Sequence, residues 1–180
     1  MCLVLVVKVA LLVFIISFSL LGCANEFDLD DLEKLKKVAS TAILESALTE
    51  SEDFMSTFSG WAKRNHSNGQ LESLTMYKDG KWDGPCVFWF ENGLKMHQGN
   101  YLNGREHGEW RFWRMDGTNS QVQTFDNGEK DGPYVWWHPN GKKGVEGTFK
   151  RGARDGLWIF YNEQGEQNKF ISYDMGTELL

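Results

Sequence analysis

A chain of 180 residues, 41% hydrophobic and 14% aromatic, has room for one domain with tails or for a short repeat array. Its formal net charge of −6, with no basic stripe, excludes the phosphate-neutralising surface on which nucleic-acid affinity rests. Three cysteines, of which only Cys86 lies beyond the first 23 residues, exclude a disulfide framework.

Residues 1–22 carry a single charge, Lys8, followed by the apolar run Val9 to Leu21. That run is short for a membrane span and suits the apolar core of a signal peptide. It ends in Leu20-Leu21-Gly22-Cys23-Ala24, which resembles the bacterial lipobox. The resemblance implies a lipidated Cys23 as residue one of the mature chain, held at a membrane of the cell envelope by its acyl groups. With Ala24 rather than aspartate next, it implies the outer membrane if the cell has two. The same residues also fit ordinary cleavage after Ala24 and a freely secreted product, or an uncleaved N-terminal anchor.

Residues 23–59 form a second segment, in which the stretch from Asn25 to about Thr57 has neither proline nor glycine. Leu29, Leu32, Leu35, Val38, Ala42 and Ile43 recur at three- and four-residue steps, and Asp30 with Glu33 looks like a capping box. A helix is predicted over 29–48, either as a tether lifting the repeats off the membrane or as a cap covering the first repeat's open edge. The apolar stripe favours docking.

Residues 60–180 are a repeat. Tyr77, Tyr101, Phe125, Phe149 and Tyr173 stand 24 residues apart, each followed three residues later by a glycine. Gly84, Gly108, Gly132 and Gly156 share the interval, and so do Trp89, Trp113, Trp137 and Tyr161. A fixed period of 20–50 residues marks a repeat architecture. Asn127-Gly128 and Asn140-Gly141 are both expected to form type I′ hairpin turns, with positive φ at each residue of the pair. Each unit then holds two strands, and Gly84 and its equivalents mark bulges. Gly60 to Gly69 reads as a degenerate first unit. The expected fold is all-β: an elongated antiparallel meander of stacked hairpins behind an N-terminal helix. Alternation puts Cys86 and Phe88, with their equivalents, on one face and Val87 and Trp89, with theirs, on the other. A single hairpin could not bury both sets of rings, so Trp137→Ala is expected to melt the array around its rung.

The segments Tyr101 to Trp113 and Phe125 to Trp137 resemble MORN repeats, and more closely the bacterial MORN-variant repeats of YwqK-type antitoxin-like proteins. The resemblance implies a curved sheet of hairpins whose glycines and aromatics serve structure. It also implies scaffolds that dimerise or bind lipids and partner proteins, and, for the YwqK-type label, neutralisation of a partner protein.

Catalytic chemistry is sought in vain. The four histidines, His66, His97, His107 and His138, show no metal-ligand spacing and read as turn or strand-end residues. Asp83, Asp131 and Asp155 recur at one register, as turn residues do. Cys86 reads as a small buried hydrophobe. No enzyme, cofactor or metal is expected. The row Trp89, Trp113, Trp137 and Tyr161, with rungs about 10 Å apart at two strands per unit, is the candidate binding feature, and the open last strand is a second. The expected function is a membrane-anchored scaffold binding another envelope protein. A carbohydrate- or peptidoglycan-binding module, stacking sugars on the ring row, and an antitoxin-like neutraliser are the alternatives.

Overall fold

A computed structural model describes residues 32–44 and 56–179. Helix α1 (Leu32–Thr41) leads into β1 (Ile43–Leu44). Eleven further strands follow: β2 (Gly60–Asn65), β3 (Leu71–Lys78), β4 (Lys81–Trp89), β5 (Lys95–Leu102), β6 (Arg105–Trp113), β7 (Asn119–Asp126), β8 (Glu129–Trp137), β9 (Lys143–Lys150), β10 (Ala153–Tyr161), β11 (Gln167–Asp174) and β12 (Thr177–Leu179). All twelve lie in one sheet in chain order, the parallel pair β1–β2 preceding an antiparallel meander. The expected all-β repeat is therefore the observed fold.

Two kinds of turn alternate. At Asn127-Gly128 both residues have positive φ, 50° and 86°, as a type I′ turn requires, and Asp79, Asn103, Arg151 and Met175 share that conformation. Along the array these turns lock together, because Gly104 N–H donates to Trp82 O and Gly128 N–H to Glu106 O. Asn140-Gly141 differs from expectation: only Gly141 has positive φ, at 80°. Gly141 N–H donates to His138 O while His138 N–H donates to Lys142 O, the pattern of a type I turn closed by a glycine bulge. The asparagine is there for its side chain. Asn140 Oδ1 accepts from Lys142 N–H at 3.0 Å, and its Nδ2 donates to Glu163 O in the next unit. Asn68 and Asn92 do the same.

The bulge at Gly84 is larger than a single extra residue. Thr75 pairs with Cys86 and Tyr77 with Trp82, so two steps along β3 face four along β4. Asp83 within this bulge turns its carboxylate onto Asn103 N–H, 20 residues on, and Asp131 and Asp155 cap Arg151 N–H and Met175 N–H likewise.

Helix α1 ends earlier than predicted. It ends at Thr41, where the hydroxyls of Ser40 and Thr41 donate back to the carbonyls of Lys37 and Val38. Ile43 and Leu44 then pair with Ala62 and Lys63, because a free strand edge satisfies their backbone better than another helical turn. Asp30, half of the predicted capping box, and residues 45–48 lie outside the described residues, as do residues 1–31.

Candidate functional site

The two faces of the sheet are built differently. On the first, the described ring–ring contacts run from Phe58 and Tyr77 through Trp82, Tyr101 and Trp110 to Phe125, and again from Tyr134 and Phe149 through Trp158 to Tyr173. Trp110 and Trp158 are fully buried, at 3% and 1% exposure. Each lies flat over a glycine: a Cβ on Gly99 would stand 2.4 Å from Trp110, and one on Gly147 2.4 Å from Trp158. Their indoles donate to Asn100 O and Thr148 O. This face holds most of the buried aromatic core.

Cys86 belongs to it. Its buried thiol reaches Gly99 O at 3.5 Å, and burial pushes its pKa up to about 12, which makes it inert at neutral pH. His97 stacks on Phe88 with centroids 4.3 Å apart and lies beside Trp110 and Phe112. Burial holds its pKa down at about 4, so the ring is neutral at pH 7. Gln123 is wholly buried. It donates to Thr124 O, while its Oε1 is buried with no hydrogen-bond partner.

The second face carries the candidate row. Trp89 is buried at 7% exposure, whereas Trp113, Trp137 and Tyr161 are half-buried. The difference lies in what packs against the first ring. Val38 and Ala39 of α1 and Ala42 just after it, with Trp61 and Leu71, pack against Leu74, Val87 and Trp89, and Lys63 Nζ donates to Ala39 O at 3.0 Å. The helix thus docks on a sheet face rather than on the open edge expected of a cap, and it is the parallel strand β1 that covers the first edge.

Beyond the helix, the row acquires polar neighbours. Lys95 Nζ lies 5.7 Å from the centre of the Trp113 ring and donates to Gln98 Oε1 at 2.8 Å. Lys143 repeats this 48 residues on, 6.0 Å from the Tyr161 ring and 2.7 Å from Glu146 Oε2. Tyr161 hydroxyl donates to Glu146 Oε1. The hydrogen bond from Lys143, then that from Tyr161, holds the Glu146 carboxyl below the usual range, and in return Glu146 raises the tyrosine pKa. Such a surface can stack a ring or receive apolar side chains between charged flanks. It has no nucleophile–base pair among these groups, and among the described residues no cluster of His, Cys, Asp and Glu could hold a metal.

Sequence reasoning missed the histidines' role. His66 Nε2–H donates to Trp89 O and His138 Nε2–H to Tyr161 O, each 2.9 Å across to the next unit, and Arg114 donates to Trp137 O from the equivalent position. These side chains pin the main chain of the row itself. The signal was available: 66, 114 and 138 differ by multiples of 24. Cys23 lies outside the described residues.

Residues 130–151, one unit of the array, match the family described as MORN repeat variant. No curated protein matches the chain. The matched unit shares its glycine and aromatic register with the units before and after it, so the chain as a whole is similar in fold to MORN-repeat proteins.

Proposed function

We propose that the protein is a membrane-anchored repeat scaffold of the cell envelope, tethered through Cys23, that binds another protein through the Trp113, Trp137 and Tyr161 face. One observation carries the reading. On a face where the described chain buries Trp89 beneath a helix, the next three rings of the same row stay half-buried. A half-exposed aromatic row on a rigid sheet is the kind of anchor set that partner proteins use. The test is cross-linking in intact cells, comparing wild type with a Trp113→Ala, Trp137→Ala double variant. Wild type is expected to give a defined adduct that the variant loses while keeping its circular dichroism spectrum. An adduct of equal yield from the variant rules the face out. Cys23→Ser is expected to take up no labelled palmitate and to leave the membrane fraction; unchanged labelling sinks the anchor.

A narrower kinship with YwqK-type antitoxin-like repeats would make the partner a toxic enzyme. A saccharide-binding reading is favoured by Lys95 with Gln98 beside the Trp113 ring, since sugar sites pair a flat ring with nearby hydrogen-bonding groups. Titration with cell-wall fragments would then change tryptophan fluorescence.

A further inference from the structure

A straight row of paired residues crosses the second face: Leu74, Val87, Gln98, Arg111, Val122, Val135, Glu146, Ile159 and Phe170, each opposite the next. From Leu74 to Glu146 its chemistry repeats every two units rather than every one, and Ile159, standing where Arg111 stood two units before, ends that repeat. Leu74, Val87 and Trp89 recur as Val122, Val135 and Trp137, 48 residues on. Polar Gln98 and Arg111 separate the two sets, and Glu146 follows the second. The first set is the seat of α1: Val38 and Ala39 of the helix and Ala42 after it pack on it together with Trp61 and Leu71, and all three of its residues are buried. The second set is half-buried, and among the described residues no helix covers it.

We propose that Val122, Val135 and Trp137 form a second helix seat, whose occupant is an amphipathic helix of the partner protein. This rests on the reading above and names the partner's chemistry. The seats lie four strands apart, about 19 Å at the usual strand spacing, and a helix with side chains is about 10–12 Å across. A second helix therefore fits beside α1 without touching it. The occupant is not a second copy's α1. The positions of Trp61 and Leu71, which flank the first seat, are Glu109 and Asn119 at the second. Glu109 is tied to Arg111 at 2.8 Å. The second seat is thus a narrow apolar strip between polar borders. It suits a helix with a stripe of small apolar side chains at three- and four-residue steps and polar residues directly beside that stripe.

A photo-reactive amino acid placed in the full-length chain at the Val135 position, in intact cells, provides the test, with the same group at the Leu179 position on the last strand as comparator. Adducts from position 135 are expected on partner residues spaced three or four apart, with Val135→Arg reducing partner recovery at least tenfold and leaving the chain's unfolding midpoint unchanged. Partner adducts spaced two apart indicate a strand and overturn the helix. Adducts from position 179 alone overturn the seat but leave a scaffold that binds by its edge. Absence of protein adducts from both positions overturns the seat and the scaffold reading together.

Discussion

At the scale of single residues, the close approach of ring to backbone decides the stability of the core face. Gly147 has ordinary φ, yet an added methyl would sit 2.4 Å from Trp158, inside any allowed contact. Gly147→Ala is expected to cost about 1–3 kcal/mol in urea unfolding, as overpacked cores do. Trp158→Ala, which empties a site only 1% exposed, is expected to cost about 3–5 kcal/mol. Trp137→Ala belongs to the other class. Its ring is half-buried, so we expect a loss below about 2 kcal/mol rather than the melting that the repeat pattern alone suggests. His97 adds a dependence on pH. Its folded pKa, about 4, is depressed below the ordinary 6.5, so between those values the unfolded chain binds the extra proton. Stability therefore falls as pH drops from 6.5 toward 4, and by pH 4.5 the thermal midpoint is expected to drop by roughly 5 °C. In His97→Phe, which keeps the stack on Phe88, that slope should flatten; an unchanged slope would remove His97 as its source.

At the scale of elements, much of the fold was legible in the spacing. The 24-residue interval located both turns of every unit, because hairpin turns need glycine at fixed places. It could not say which turn was which. Asn127 and Asn140 look alike beside their glycines, yet one takes positive φ and the other keeps negative φ and uses its side chain. The distinction lies in loop length, which a dipeptide does not encode. The apolar stripe of α1 predicted docking, but neither its end at Thr41 nor the strand after it, since pairing with β2 is tertiary and overrides local helix preference. The docking carries its own prediction. Ala42→Arg should push the helix off Leu74 and Val87 and bring Trp89 into water. The expected readouts are a red-shifted tryptophan emission and faster proteolysis between α1 and β2, with the β3–β12 spectrum retained.

At the scale of the whole molecule, the array is one sheet with unequal faces, and that inequality was only half legible. Alternation sorted the rings correctly, but both faces carry tryptophans, and no count of aromatics says which is covered. The answer came from pairs that the 24-residue frame hides. Gly99 with Trp110 and Gly147 with Trp158 mark the core face every second unit, while Leu74 with Val87 and Val122 with Val135 mark the other. The candidate row was named from the sequence; its burial under α1 at Trp89 and its exposure beyond required the tertiary contact. Hydroxyl-radical footprinting, run on intact cells and on the purified protein, tests most directly whether the second face is the one that meets a partner. Trp113, Trp137 and Tyr161 should be oxidised at least several-fold less in cells than in the purified protein, with Trp110 and Trp158 equally protected in both. Equal oxidation of the row in the two samples would contradict the account.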